Sequence, residues 1–188
     1  MGLRDWVTGL LGEGESGAGG SDGDGGLDLV VDVERRAGAI LEHYGLPGEE
    51  ARRVAEILAA ELTREEGYAR SMIADRVVRE LDLDEERART VVDTEVASIR
   101  NLARVRRYTE QAGGDVRFRW VDSVGQDDSP VCADVRAAID DRGPVSLDEL
   151  RELIRDAASE HSSGTPERAD DLVPHERCRH TVVRHLED

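Results

Sequence analysis

The chain has 188 residues, of which 38% are hydrophobic, 3% aromatic and 36% charged, and its formal net charge is −17. That length suits one ordinary domain or a small domain with a helical extension. The acidic excess excludes non-specific attachment to nucleic acid or to an anionic membrane surface, since both need a surplus of Lys and Arg. All 25 basic residues are Arg, and no Lys occurs. A carboxylate-rich, Lys-free chain fits a salt-accumulating halophile, whose counterions screen the mutual repulsion.

The leader "MGLRDWVTGLL" (1–11) places Leu3, Trp6, Val7, Leu10 and Leu11 at helical spacing. It reads as an amphipathic docking peptide for a partner groove or as a frayed terminus. Its apolar portion is short and Arg4 and Asp5 nearly cancel, unlike a secretory signal. Residues 12–26, "GEGESGAGGSDGDGG", form a Gly/Ser/Asp linker with nothing to pack. From 27 to 112 the pattern is helical. Leu29, Val30, Val33, Ala37, Ile40, Leu41 and Tyr44 are expected on one helix face, which "GLPG" ends. Val54, Ile57, Leu58 and Leu62 mark a second helix, and Tyr68, Met72, Ile73, Val77 and Val78 a third. Asp84 is the expected N-cap of a long fourth helix with Glu85 and Glu86 in its first turn. The stretches "LPGEEARRV" and "LDEERARTV" rhyme, which fits two helix starts of like chemistry as well as a duplication.

After "AGGD" the period changes from helical to alternating. In "VRFRWV", Val116, Phe118 and Trp120 face one way and Arg117, Arg119 and Val121 the other, as in a strand. A short helix over "VCADVRAAI" follows, then a capped helix opened by Ser146 with Glu149 in capping-box spacing. A polar loop leads to a closing strand, "HTVVRHL". The predicted fold class is therefore α+β: a helical arm over 27–112 and a small α+β domain over 113–188. No apolar run is long enough to span a bilayer.

Three of the five His, at 175, 180 and 185, crowd with Cys178 into "HERCRHTVVRH". Cys132, Cys178, His175 and His180 supply the two thiolates and two imidazoles that a tetrahedral zinc ion takes. Three positions after Cys132 stands Val135, where a second thiolate would be expected. His180 and His185 lie five positions apart, an odd offset, and cannot share a face of one strand. Other readings are a polar loop beside two buried thiols, or a Cys132–His175 nucleophile pair, which no oxyanion-loop signal accompanies. The H-x-E and P-C-x-x-C pair of the zinc deaminases is missing, as are the phosphate-binding glycine loops and H-E-x-x-H, and no enzyme is expected. Arg100, Arg104 and Arg107 share a helix face. They suit contact with an acidic partner or DNA phosphates, or pairing with neighbouring carboxylates.

As an ordered set these features resemble the phage Mu F-like head morphogenesis family, the minor capsid proteins of tailed viruses. The resemblance runs over roughly residues 90 to 185. It rests on Thr94 and Glu95 on an Arg-rich helix, Trp120 on a strand, Asp128 and Cys132, and the closing His175, Cys178 and His180. Val135 departs from the family's second Cys, and the leader lies outside the shared region. The resemblance implies an internal head protein of the virion, present in few copies. It would meet the portal protein and other capsid components, assemble in the host cytoplasm and act in packaging or delivery of the genome. With the composition, it implies a virus or provirus of a halophilic archaeon. The alternative is a zinc-binding interaction module unconnected with capsids.

Overall fold

A computed structural model describes residues 27–112, 115–121, 129–161 and 168–186. The leader residues Leu3, Trp6, Val7 and Leu10, the linker and Asp128 lie outside these. Four helices come first: α1 (Val33–Tyr44), α2 (Gly48–Leu62), α3 (Arg70–Leu81) and α4 (Glu85–Ala112). Strand β1 (Phe118–Val121), α5 (Pro130–Arg142), α6 (Leu147–Glu160), a 3-10 turn (Ala169–Asp171) and β2 (Thr181–Arg184) complete the order. The fold is thus a helical N-terminal part followed by a small α+β domain, as the periodicities predict.

Local chemistry sets most of the boundaries. The Asp84 carboxylate accepts from the Arg87 N–H at 2.8 Å and opens α4. Ser146 and Glu149 form the predicted capping box on α6. Ser129 caps α5 through the Cys132 N–H at 3.2 Å, with Pro130 just inside the helix. The two rhyming stretches are both helix starts, of α2 and of α4. Gly45 ends α1 in the left-handed conformation that glycine adopts without strain.

The first helix is shorter than its apolar pattern predicts. Asp32 caps it through the Arg35 N–H, so the helix starts at Val33 and residues 27–32 run irregularly. Leu29 still reaches the core, but Val30 is 57% and Leu41 48% exposed, so the expected seven-residue face is not one buried face. The helix over "VCADVRAAI" runs longer than expected, to Arg142, where Gly143 stops it.

Two hydrophobic clusters result. Ile40, Val54, Leu58, Ile73, Val77, Val91, Val92 and Val96 are among the residues that fill the helical one. Phe118, Trp120, Val135, Ile139, Leu150, Ile154 and Val182 lie in the α+β one. Helix α4, with 28 residues and a length of about 42 Å, belongs to both. Its Ala88 to Ala103 portion serves the first cluster, while Leu102, Val105 and Tyr108 pack on the second. β1 and β2 pair antiparallel, with Trp120 opposite Val182. On the other side of β1, Phe118 and Val145 exchange backbone hydrogen bonds at 2.7 and 3.1 Å.

A buried ionic network joins the two parts. Glu95 of α4, fully buried, accepts from Arg36 of α1 at 2.6 Å and from both terminal nitrogens of Arg168. Arg168 also reaches Asp171 at 2.5 Å, and Arg35 closes on Asp171 from the rim. Two carboxylates thus face two buried guanidiniums, the balance a low-dielectric interior demands. The polar loop read from the sequence therefore ends in buried charge, because its acids and bases have partners on α1 and α4. Burial works against the Asp171 carboxylate, but Arg36 and Arg168 outweigh it and hold its pKa below the usual range.

Candidate metal centre

Cys132 sits in the first turn of α5, fixed by the Ser129 cap and by burial of Val131 and Val135 on either side. His175 and Cys178 lie on the turn before β2. There the Cys178 N–H bonds to the His175 carbonyl at 3.3 Å, and Arg177 adopts a positive φ of 56°. His180 immediately precedes β2 and stacks on Trp120 of β1, ring centroids 5.7 Å apart and nearly parallel. Two separate pieces of chain, the start of α5 and the run from His175 to His180, thus deliver four ligating side chains to one point.

The ligand atoms of Cys132, His175, Cys178 and His180 all lie within 4.8 Å of one another. Sγ of Cys132 is 3.6 Å from Sγ of Cys178 and 3.2 Å from Nε2 of His175. Sγ of Cys178 is 3.7 Å from Nδ1 of His180. A tetrahedral ion with metal–sulfur bonds of about 2.3 Å and metal–nitrogen bonds of about 2.05 Å needs sulfur–sulfur edges of about 3.8 Å and sulfur–nitrogen edges of about 3.5 Å. The three separations match those edges within a few tenths of an ångström. The sulfurs are too far apart to be a disulfide, and both cysteines are free. This Cys2His2 group could hold a metal ion.

The electrostatics favour one thiolate in advance of any ion. The neighbouring Cys178 thiol, followed by the His175 and His180 rings, outweighs burial and pulls the Cys132 pKa down to about 3. Cys178, beside that thiolate and buried, is pushed well up. Burial works against a charge on His175, but the Cys132 sulfur beside it prevails and raises its pKa. Nδ1 of His175 lies 2.7 Å from the Glu176 carbonyl, to which it donates, so Nε2 faces the Cys132 sulfur and becomes a metal ligand when an ion displaces the proton held between them.

All four ligand residues expected from the sequence meet here, and Val135 is wholly buried in the α+β core, so the quartet closes without a thiolate at that position. His185 lies apart, its Nδ1 3.5 Å from Arg119 on the outer side of the sheet. Thr94 meets the site from α4 through the Arg177 N–H, whereas Glu95 belongs to the ionic network. Arg100, Arg104 and Arg107 lie half-buried on α4, and Arg104 donates to the Asn101 side chain at 3.3 Å. Sequence reasoning missed Arg36, Ser98, Asn101, Arg168 and Asp171. Their one visible signal is the polar set Thr94, Ser98 and Asn101 at helical spacing inside an otherwise apolar face of α4. A groove of about 250 Å³ between residues 30–36 and α4, lined by Val31, Ile99 and Leu102 among others, shares no residue with the quartet.

No family model matches the chain, and no curated protein or solved structure is significantly similar to it. The class the geometry defines is a helical protein whose small α+β domain is closed by a group of metal-ligating side chains. Among the described residues, no helix is long and apolar enough to cross a membrane.

Proposed function

We propose that the chain is a non-catalytic structural protein whose C-terminal domain is stapled by zinc, and that it serves as a portal-associated minor capsid protein of a tailed virus. The observation that carries the zinc reading is the saturated quartet. Two sulfurs and two imidazole nitrogens at tetrahedral spacing fill every position of the ion, and three of the four residues are buried. Structural zinc sites are closed in this way, whereas catalytic ones keep a position for water or substrate. Two cysteine sulfurs and two imidazoles suit zinc better than magnesium or calcium, which take oxygen ligands.

The head-morphogenesis reading is supported by how its motif positions gather. Thr94, Trp120, Cys132, His175, Cys178 and His180 come from well-separated parts of the chain, yet all lie in or against one centre, while Glu95, next to Thr94 on α4, anchors the ionic network instead. In this reading the zinc ties the C-terminal strand back to α5, the helical part carries the surface for portal and other capsid components, and the leader over 1–11 is the dock. The protein assembles in the host cytoplasm and ends inside the virion.

The test is co-expression with a candidate portal protein, pull-down in molar salt and a zinc assay of the same eluate. A stable complex carrying one zinc per chain is expected, with binding lost when residues 1–26 are deleted. A chain that holds zinc but captures no portal protein removes the capsid reading and leaves a zinc-stapled interaction module.

A further inference from the structure

One face of α4 carries a buried polar stripe that no ligand set requires. Thr94, Ser98 and Asn101 occur at the i, i+4 and i+7 spacing that stacks side chains along a helix. All three are nearly wholly buried. Each bonds to backbone of the C-terminal segment, and Ser98 also accepts from the Arg36 guanidinium of α1 at 3.1 Å. Thr94 Oγ1 donates to the Thr90 carbonyl at 2.7 Å and accepts from the Arg177 N–H at 2.9 Å. Ser98 Oγ donates to the Asp171 carbonyl at 3.0 Å. Asn101 bonds to this segment twice: its amide nitrogen donates to the His180 carbonyl at 3.1 Å, and its oxygen, which also accepts from Arg104, accepts from the Val182 N–H at 3.2 Å.

Two of these grips fall on the metal-ligating segment itself. Arg177 stands between His175 and Cys178, and its positive φ is a strained conformation for a non-glycine residue. The Thr94 hydroxyl holds its N–H in that conformation, so the turn that aims His175 and Cys178 is pinned at its middle. Asn101 grips both sides of the peptide run from His180 to Val182, taking the place of a neighbouring strand on the edge of β2. It thereby fixes the backbone from which the His180 ring projects. We propose that Thr94 and Asn101 are positioning residues of the metal centre: α4 is the template on which the His175–His180 segment takes the shape that binds the ion. Neither side chain ligates the ion. The proposal rests on the metal reading above. Groups that orient ligands in this way govern affinity through preorganisation, and their loss weakens metal binding about 10–100-fold.

The experiment titrates the full chain, in molar KCl, with Zn²⁺ against a chromophoric chelator. Thr94→Val keeps the shape but removes the acceptor, and Asn101→Leu removes both grips on β2; each is expected to weaken zinc about 10–100-fold. Thr94→Ser, which restores the hydroxyl, is expected to bind as the wild type does. Ser98→Ala is the control, because Ser98 is equally buried but touches nothing between residues 175 and 182; its zinc affinity is expected to match the wild type. Should Asn101→Leu fail to fold, Asn101→Asp retains the acceptor for Val182 while losing the donor to His180, and a lowered affinity is again expected. Thr94→Val and Asn101→Asp binding zinc as tightly as the wild type overturns the proposal while the metal reading stands. An equal loss in Ser98→Ala also overturns it, by reducing the effect to general destabilisation. A wild-type chain that takes up no zinc overturns the metal reading and the proposal together.

Discussion

Replacing Glu95 by Gln tests the junction between the two parts of the molecule. The side chain keeps its volume and loses its charge. Arg36 and Arg168, with side chains 6% and 3% exposed, are then left sharing Asp171 as their remaining close carboxylate. Removing one partner from a buried ionic group costs about 3–5 kcal/mol, because the remaining charges can neither re-pair nor rehydrate. For a chain of this size each kcal/mol moves the melting temperature by about 2–4 °C, so a fall of roughly 6–20 °C is expected. The assay is urea and thermal unfolding followed by circular dichroism in low and in molar KCl. Exposed ion pairs weaken with salt, whereas this loss should persist, since ions do not enter the network. Glu95→Gln combined with Arg168→Met should cost less than the sum of the two single changes, because the second removes a charge that the first leaves stranded. A loss below about 1 kcal/mol, or one that disappears in molar KCl, would refute the argument that the network is a buried, balanced junction.

Three other outcomes follow from the same geometry. Stripping zinc with a strong chelator, or making Cys178→Ser, should lower the melting temperature of the zinc-loaded protein; free metal at a thousand times Kd contributes about 4 kcal/mol, and an unchanged melting curve would count against a structural ion. Burial, and after it the Glu95 charge, raises the Tyr44 pKa well above its ordinary value of 10. Stability should therefore be full below pH 10 and fall above it at about 1.4 kcal/mol per pH unit, as only the unfolded chain ionises there; Tyr44→Phe should remove that alkaline slope, and the same slope in the variant would show that other groups cause it. Treating the metal-free chain with diamide should join Cys132 to Cys178 within one chain, read as a mass loss of two hydrogens and as monomer on a non-reducing gel; closing a loop of that length adds about 4 kcal/mol of chain-entropy stabilisation, and disulfide-linked dimers as the main product would contradict the 3.6 Å approach of the sulfurs.

The parts legible in the sequence are those encoded within one turn or one strand. Asp84 and the Ser146–Glu149 pair announce helix starts because the capping group and the N–H it satisfies are three residues apart. Val116, Phe118 and Trp120 announce a strand because burial alternates with the pleat. The four ligands were legible for another reason: in a chain with two Cys and five His, their chemistry is scarce. The ionic network was not legible. Glu95 lies 59 positions from Arg36 and 73 from Arg168, and in a chain with 42 acidic and 25 basic residues nothing local separates a buried pair from a solvated one. Asn101 was obscured similarly, because an amide on a helix face reads as surface until a strand edge is found against it. The overestimate of α1 has the same root, since apolar spacing over 29–33 continued past a capping carboxylate that outweighed it.

The length of α4 between Glu95 and Asn101 acts as a ruler. Glu95 receives Arg168, and six positions on, Asn101 receives the start of β2, so about 9 Å of helix sets the distance the returning chain must cover between them. One inserted residue would turn everything beyond it by about 100° and advance it by about 1.5 Å. The face toward the helical cluster and the face toward the α+β cluster would then fall out of phase. Seven inserted residues nearly restore the angle, to about 20°, but leave the two anchor points too far apart. Every residue from Glu95 to Asn101 but Arg100 is buried, so Arg100 is the one position of this stretch where a substitution is tolerable in a way that a change of length is not.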